Sequence, residues 1–517
     1  MRMVVLGGEV AGRGLWGGHR SGPEWAGMAV SVGVSLAVMF SGVQQILGFF
    51  AAAAVLLVGA VLTTPTKFTD YRSIGALLLE RWHQWHRRRT GAAVFVPVSA
   101  RPATRRAKAP RPRPEGTDEG GGIAVPIRHR DTAPLMVGSV RFFSVETPIG
   151  PMVVFRHQAR KPYYTTSVET MGTSSGLREE HREDAGYIAH GQVLARLARR
   201  QQLITHIQSI SRSVPVDATD HLLWLRRQIT TLVPDALLES YGELCDVVRS
   251  RAEQHRTYET FRIPAVDALY RRAATYGEGD EGIGVAIFNE VRSAMSYAEI
   301  KGSVTGYRPL GPLEMAALLR HLQDPDYDID DHEGADLAGC WQHLDGSTSP
   351  NAVVVNGKWH TRTGYVPANA FSPEAVPVEA LRPLLRGIQP PVIHTVSVVT
   401  ELQDARQARG QARRHVADDK ARKKTAEEAG RVTDGEEDVL LDASKQRLVD
   451  LRIGSGHHGA AFALYITYSV QDADQILPTA DIIEAAAADA AIERIEWLDH
   501  RQDLAPITTM PFTRGIR

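Results

Sequence analysis

The sequence predicts a membrane α-helical hairpin joined to a cytosolic α+β region with ferredoxin-like units and a charged antiparallel helical arm. Three features of the 517 residues lead to this fold class. Residues 25–66 carry no charged side chain, residues 132–400 alternate between strand-like and helix-like patterns, and residues 401–451 are dense in charges of both signs. A hydrophobic fraction of 43% is ordinary for a chain of two or more domains with a sizeable core.

The uncharged segment predicts two transmembrane spans, because its roughly 40 residues are close to twice the roughly 20 that cross a bilayer. We place the first span at residues 25–40 and the second at residues 46–63, with the turn "SGVQQ" at residues 41–45. Arginines flank the hairpin on both sides, which predicts cytoplasmic termini. The sequence therefore predicts a two-span protein of the cell inner membrane, with both termini and the bulk domain in the cytoplasm.

A tryptophan-rich segment follows the second predicted span. Trp82 and Trp85 lie at helical spacing beside the three arginines 87–89, which predicts a helix along the cytoplasmic headgroups with anionic lipids as partners. His83 and His86 are three residues apart on the same segment. Because no further metal ligand lies nearby, they are interpreted as part of an interfacial polar face.

Composition divides the chain into five parts. They are a membrane hairpin with its juxtamembrane amphipathic helix (1–90), a basic Pro/Gly-rich linker (91–131), an α+β domain (132–400), the charged helical arm (401–453) and the carboxy-terminal part of the α+β domain (454–517). A net charge of -1 predicts no global attraction to nucleic acid. The basic half of the linker has no interleaved aromatic residues, so direct DNA binding and contact with anionic lipid both stay open.

Local patterns place strands and helices in the α+β region. The predicted strands are residues 137–145, 152–155, 203–214, 258–263, 462–470 and 493–498. The predicted helices are residues 179–200, a segment capped by Asp217, and residues 235–254, 284–300, 313–322 and a segment from Thr479. This mixture of strands and helices predicts ferredoxin-like units.

The stretch "AVVVNGKW" raises the question of nucleotide hydrolysis, because Gly357 and Lys358 are the pair that closes a phosphate-binding loop. Such a loop needs glycine at its first position and a hydroxyl after the lysine. Here those positions are Ala352 and Trp359. Asn356 followed by glycine is typical of a two-residue type I′ turn, so the sequence predicts a β-hairpin instead.

A second nucleotide-like motif is "GEGDEG" at residues 277–282, which fits G-x-G-x-x-G. A dinucleotide fingerprint follows a strand, whereas this one follows a helix-like segment. Glu278, Asp280 and Glu281 would oppose a pyrophosphate. The motif is therefore interpreted as a solvated loop between helices.

Cysteine and histidine spacing predicts neither a disulfide framework nor a metal site. Cys245 and Cys340 lie far apart, and His457 and His458 are adjacent in a glycine-bounded loop without carboxylate or cysteine company. No catalytic, cofactor-binding or metal-binding residue is assigned, and no cofactor is expected.

Several motifs resemble those of a known family when taken in order. They are "NGKWHTRTGYVP" at 356–367, the charged arm, "ALYITYSVQDAD" at 463–474, "DHRQDLAPITTMP" at 499–511 and "MPFTRGIR" at 510–517. This order resembles the amino-terminal, non-motor part of CagE/TrbE/VirB-type secretion ATPases. The amino-terminal hairpin is similar to the small PrgI-type inner-membrane subunit of type IV secretion systems. Actinobacterial membrane proteins of conjugative elements join these two parts.

The resemblance implies a membrane-anchored, non-catalytic scaffold of a conjugative type IV secretion system that docks a separate P-loop ATPase. It also implies contacts with other inner-membrane secretion subunits and with further copies of the chain in a homo-oligomer. The closing motif resembles the "LPLGRG" that leads into the motor domain, and the sequence ends there, so no Walker residue is carried over. Arg514 and Arg517 are expected to face solvent, available for acidic partner residues.

Two other functions stay open at this point. One is a membrane-tethered nucleotide-utilising enzyme with an atypical site, and the other is a simple DNA- or lipid-binding tether.

Overall fold

The protein consists of two compact units, Glu9–Ala93 and a larger unit that combines Met1–Gly8 with Val94–Arg517. The computed structural model describes residues 3–5, 22–40, 45–64, 73–97, 125–127, 133–172, 180–199, 201–215, 224, 227, 233–251, 253–330, 335–372, 375–377, 379–428, 435–453, 455 and 457–515. The linker segment 101–122 and Arg517 lie outside these residues, as does nearly all of the helix predicted from Asp217.

Twelve helices and sixteen strands are labelled in chain order over the described residues. The helices are α1 (Gly22–Met39), α2 (Gln45–Thr63), α3 (Ile74–Arg89), α4 (Glu180–Leu197), α5 (Asp235–Arg251), α6 (Asp267–Ala273), α7 (Gly279–Lys301), α8 (Pro312–Gln323), α9 (Arg382–Leu385), α10 (Ala405–Glu428), α11 (Glu436–Asp450) and α12 (Ile476–Asp489). The strands are β1 (Met3–Val5), β2 (Val94–Phe95), β3 (Val125–Ile127), β4 (Val140–Thr147), β5 (Gly150–His157), β6 (Tyr163–Met171), β7 (His206–Pro215), β8 (Glu253–Pro264), β9 (Gly306–Pro309), β10 (Leu344–Asp345), β11 (Val353–Val355), β12 (Trp359–Val366), β13 (Ala375–Pro377), β14 (Ile393–Gln403), β15 (Gly459–Val470) and β16 (Glu496–Trp497).

The unit Glu9–Ala93 contains α1, α2 and α3. Helices α1 and α2 have 18 and 19 residues. At 1.5 Å per residue they are about 27 and 28 Å long, short of the roughly 30 Å hydrocarbon core. Over the described residues, no helix combines the length and the apolarity needed to cross a membrane. The predicted fold class with its membrane hairpin is therefore wrong, and so is the assignment to a two-span inner-membrane protein.

Small residues let α1 and α2 pack closely. Ser35 Oγ donates to the carbonyl of Ala52 at 2.9 Å, and a Cβ on Gly59 would lie 2.3 Å from Ser31 Oγ. In α3, the Trp82 ring stacks on the His86 ring at a centroid distance of 5.8 Å. This histidine therefore packs against an aromatic ring of its own helix.

The larger unit is built on one antiparallel sheet. Its strand order is β2-β10-β11-β12-β15-β14-β7-β8-β6-β5-β4-β3, with β16 paired to β12 and β9 paired to β6. A separate two-stranded sheet joins β1 to β13. This unit is α+β because helices pack on its antiparallel sheet.

The strand order contains the same six-element pattern twice. The first copy runs β6-α4-β7-β8-α7-β9 along the chain and has the spatial strand order β9-β6-β8-β7. The second copy runs β12-α9-β14-β15-α12-β16 and has the spatial strand order β16-β12-β15-β14. Both are the β-α-β-β-α-β arrangement of a ferredoxin-like unit. The two units join edge to edge because β7 pairs antiparallel with β14. Each unit carries an insertion between its second and third strands, which contains α5 in the first and α10 with α11 in the second.

Three apolar clusters hold the sheet and its helices together. On one face of the sheet, α4 and α7 cover the first ferredoxin-like unit, and α9 and α12 cover the second. On the other face, α8 and residues 504–512 pack over β4, β5, β7 and β11. Alternation along the strands separates the two faces, since Met152 and Val154 face one cluster while Val153 and Phe155 face the other.

The prediction of a hairpin at residues 353–361 is confirmed, but three residues and not two separate its strands, because Val355 pairs with Trp359 and Lys358 belongs to the turn. Strands β11 and β12 pair antiparallel around Asn356 (φ 53°) and Gly357 (φ 69°), the left-handed pair of a type I′ turn. Lys358 Nζ bonds Asp326 Oδ2 at 2.5 Å, and Trp359 Nε1 donates to the same carboxylate oxygen at 3.0 Å. The lysine therefore belongs to a surface ion pair.

The "GEGDEG" motif at residues 277–282 lies between two helical segments, as predicted, but only its first two residues form a loop, because residues 279–282 already belong to α7. Helix α7 begins within it, and Asp280 and Glu281 occupy the first helical turn. Carboxylates at the N-terminus of a helix interact favourably with its dipole, and they repel an anionic ligand. This geometry is unlike a dinucleotide-binding turn.

Candidate functional site: the arm edge of the sheet

Five strands of the two ferredoxin-like units, together with β5, come to one edge of the sheet, at which the arm (α10 and α11) begins. The register defines this arm edge, because residues near the ends of β14, β15, β7, β8, β6 and β5 are successive partners. These pairs are Gln403 with Gly459, Glu401 with His206, His206 with Arg262, Pro264 with Tyr163, and Tyr163 with His157.

The arm is an antiparallel pair of helices. At its root, Ala408, Ala412 and Leu451 form a small buried cluster. Farther out, Ser444 Oγ donates to Asp419 and Lys423 Nζ lies 2.6 Å from Asp438 Oδ1. A Cβ on Gly459 would lie 2.4 Å from the Ala408 side chain, so glycine allows the close approach of α10 to β15. These contacts fix the root of the arm on the sheet.

A basal cavity of about 770 Å³ lies at the foot of the arm. It is lined by three arginines from two distant segments, Arg199, Arg406 and Arg414, together with Asp404, Gly410 and His458. Arg199 follows α4, whereas Arg406 and Arg414 lie two turns apart on α10. The register of β7 with β14 brings these segments together, since Thr205 O accepts the backbone N–H of Leu402 at 2.9 Å.

The charge of the basal cavity is positive. The three arginines are exposed, and none of them has a carboxylate within 4.0 Å in the described part of the chain. The carboxylate of Asp404 already takes part in hydrogen bonds, because its Oδ1 accepts the backbone N–H of Arg406 at 2.8 Å and that of Gln407 at 2.9 Å. This carboxylate caps α10, so the amides of the first turn are already bonded.

A second basic surface lies on the neighbouring face of α10. Arg409, Arg413 and Lys420 recur at helical spacing, and among the described residues they have no ion-pair partner. We call this set the arm cation face. In the distal half of the arm, by contrast, cations are paired, as in Lys423 with Asp438 and Lys424 with Glu428 at 3.7 Å. Along α10, the unpaired cations of this face therefore all precede the paired lysines.

The carboxy-terminal segment is part of the core, not an exposed tail. Met510 and Phe512 are each 1% exposed, and Phe512 packs on Phe155 at a centroid distance of 5.1 Å. Gln208 fastens the backbone of this segment, because its Nε2 donates to the carbonyls of Thr508 at 3.1 Å and Met510 at 3.0 Å. Its Oε1 accepts the N–H of Thr513 at 2.7 Å.

The prediction that Arg514 faces solvent is wrong. Its guanidinium donates to the carbonyls of Met136 (3.2 Å) and Val137, to Tyr163 Oη at 3.3 Å and to His157 Nδ1 at 2.9 Å. An arginine that satisfies carbonyls at the end of a buried segment is held by the body of the protein. The segment nevertheless reaches the arm edge, because His157 and Tyr163 lie on that edge.

A buried arginine lies farther along the same face of the sheet. Arg212 is 1% exposed, with Nη1 donating to Thr395 Oγ1 at 3.0 Å and Nε 3.4 Å from His321 Nε2. Burial lowers the pKa of Arg212 to about 10. Burial, followed by the charge of Arg212, lowers the pKa of His321 to about 3, which keeps the imidazole neutral and able to accept this contact. Sequence reading gave no signal for this cluster.

The motif histidines do not form a metal site. His458 lines the basal cavity, and the part of the chain that the structure describes holds no group of three His, Cys, Asp or Glu placed to bind a metal ion. Cys245 and Cys340 are both buried free thiols. Burial, followed by the charge of Asp336, raises the pKa of Cys340 above its usual range, so that thiol is unreactive.

Comparison with known proteins adds no relative: no protein-family model matches the chain, and no curated protein matches it.

Proposed function

We propose that the chain is a non-catalytic scaffold of a conjugative type IV secretion apparatus that docks a separate P-loop ATPase at the arm edge. The order of sequence motifs, which resembles the non-motor part of secretion ATPases, supports the type of apparatus. One structural observation supports the location of the docking site. The arm root, the basal cavity and residues 511–515, which in the resembling ATPases would lead into the motor, all reach the same edge of the sheet.

The arm cation face supports a partner of acidic character. Arg409, Arg413 and Lys420 are cations without a carboxylate partner among the described residues, on a helix of 24 residues. That helix is about 36 Å long, long enough to lie across a neighbouring domain. Unpaired surface cations steer an acidic partner into place and raise the association rate more than the final affinity.

The arm alone does not supply a full interface. A specific interface buries roughly 1,200 to 2,000 Å² in total. We therefore include the adjoining edge, formed by Gln158 to Lys161 between β5 and β6, whose side chains are exposed. Contacts with anionic lipids, with other secretion subunits and with further copies of the chain stay predictions.

A charge-reversal experiment tests the proposal. The full chain is immobilised, and binding of the P-loop ATPase encoded in the same conjugative element is followed by biolayer interferometry. The double variant Arg409→Glu with Arg413→Glu should lower the association rate about tenfold at low salt, because two attractive charges become repulsive. The matched control reverses Arg292 and Lys301, which are exposed on α7 and outside the arm.

Two outcomes would count against the proposal. If the wild-type chain does not bind the ATPase at all, the scaffold function fails. If the arm variant and the α7 control lose binding equally, the arm edge is not the docking site.

A further inference from the structure

We infer that the basal cavity is a binding site for phosphate groups of a polyanion, held by Arg199, Arg406 and Arg414. This inference does not depend on the docking of an ATPase, because it concerns the inner side of the arm root and not the arm cation face. A volume of about 770 Å³ lies within the range of sites that hold a small molecule or a short stretch of a polymer.

The charge of the lining selects the ligand. Three arginines from two segments line the cavity, and Asp404, the one carboxylate among its described lining residues, already accepts two backbone N–H groups. Guanidiniums present paired N–H donors that match the oxygens of phosphate in a bidentate manner. The cavity therefore favours a ligand with more than one negative group over a neutral or singly charged one.

The lining also indicates which part of a ligand is recognised. Among the described residues, His458 is the only aromatic ring that lines the cavity, so this lining offers no run of stacking surfaces for successive nucleobases. The capped amides of α10 do not add donors, since Asp404 occupies them. Recognition therefore rests on phosphate and guanidinium contacts alone, which suits either a free polyphosphate or the phosphodiester chain of a nucleic acid.

Gly410 keeps the cavity open. It lies one turn from Arg406 and one turn from Arg414, and a Cβ at this position would meet no heavy atom within 4 Å. A larger side chain there would extend into the open space without disturbing the backbone. Gly410→Leu therefore blocks the cavity while leaving all three arginines in place, and it also raises helix propensity.

Isothermal titration of the full chain with inorganic tripolyphosphate, in about 50 mM salt, tests the inference. We expect saturable binding that weakens at least tenfold in Arg414→Gln and in Arg199→Gln, because each variant removes one charge-assisted pair. Gly410→Leu should abolish binding. Lys301→Gln, at an exposed cation in the last turn of α7 and outside both the cavity and the arm cation face, is the control and should bind as the wild type does.

A single-stranded oligothymidylate added in competition distinguishes the two sources of phosphate. Displacement of tripolyphosphate, with the same pattern of variant effects, identifies a nucleic-acid backbone as the ligand class, with log affinity falling against log salt at a slope of about -2 for three phosphate contacts. Binding of tripolyphosphate without displacement identifies a free polyphosphate. Absence of saturable binding, or equal losses in Lys301→Gln and Arg414→Gln, would overturn the inference.

Discussion

The guanidinium of Arg514 donates a hydrogen bond to Nδ1 of His157 at 2.9 Å. The neutral imidazole then carries its proton on Nε2 and donates to Thr165 Oγ1 at 2.8 Å. Burial lowers the pKa of His157 well below its usual value, and the charges of Arg514 and Arg262 lower that pKa further. A histidine held neutral in this way can accept a hydrogen bond from the Arg514 guanidinium. This hydrogen bond ties the last described segment to β5.

Replacing Arg514 with methionine should destabilise the larger unit. The change leaves the carbonyls of Met136 and Val137 without this donor, and we expect a loss of about 2–3 kcal/mol in the free energy of unfolding, measured with urea. Arg160→Met, at an exposed site of the β5–β6 turn, should change it by less than about 0.5 kcal/mol. Equal stability of the two variants would show that the Arg514 contacts are dispensable.

Phe512→Ala should destabilise the protein by about 3–5 kcal/mol, because the ring is 1% exposed and its loss leaves a cavity beside Phe155. Thermal and urea unfolding of the purified chain measure this effect. A loss below about 1 kcal/mol would contradict a core position for this segment. The same burial means that truncation after Thr509 would damage the fold, so point variants are needed to examine docking.

Glu259 should make the stability fall as pH rises. Burial raises the pKa of its carboxyl from its usual 4.5 to about 7, although Ser209 Oγ donates to it at 2.8 Å and so opposes the shift. Below the unfolded-state pKa of about 4.5, the carboxyl is protonated in both states and does not lower the free energy of unfolding. As pH increases from about 4.5 to 7, the unfolded state releases this proton more readily than the folded state, so the free energy of unfolding falls. The loss is on the order of 3 kcal/mol.

The variant Glu259→Gln isolates this effect. Its urea midpoint should fall less than that of the wild type between pH 5 and pH 7.5, while Glu299→Gln at an exposed position should follow the wild type. Parallel pH profiles for Glu259→Gln and the wild type would show that this carboxyl does not titrate differently on folding.

Lys358→Ala should leave the protein folded and its behaviour toward ATP unchanged. Lys358 and Asp326 are 49% and 46% exposed, so their ion pair contributes less than about 1 kcal/mol. Gly357→Val should be more damaging because valine at φ 69° is strained. Equilibrium titration with ATP and urea unfolding measure the two effects. A fall in ATP binding for Lys358→Ala, with the fold intact, would support a nucleotide-utilising enzyme instead.

Local sequence patterns located many of the secondary-structure elements. The turn at Asn356 and Gly357 has a direct physical signal, since both residues tolerate the left-handed backbone that the turn requires. The helix at residues 279–301 and the long strands at 206–215 and 459–470 also lie where periodicity predicts them. The membrane assignment failed because absence of charge does not by itself settle whether two helices of 18 and 19 residues cross a bilayer.

Long-range features had no sequence signal. The mixture of strands and helices predicts ferredoxin-like units, but the strands that build them, and the side-by-side position of the two, emerge only from strand pairing. Arg199 and Arg414 lie more than two hundred residues apart and meet only through the register of β7 with β14. The sequence predicts that Arg514 faces solvent, and only the hydrogen bonds of Gln208 and His157 show that the segment around it is held by the body of the protein.

Photo-crosslinking tests the docking of an ATPase at the arm edge most directly. A benzophenone amino acid replaces Lys420 on the arm cation face or, as a control, Lys301 at the exposed end of α7. Each full-length variant is irradiated with the proposed partner, a P-loop ATPase of a type IV secretion apparatus. We predict a crosslink to the ATPase from position 420 and none from position 301. A crosslink from position 301 alone, or from neither position while the two proteins bind, would contradict docking at the arm edge.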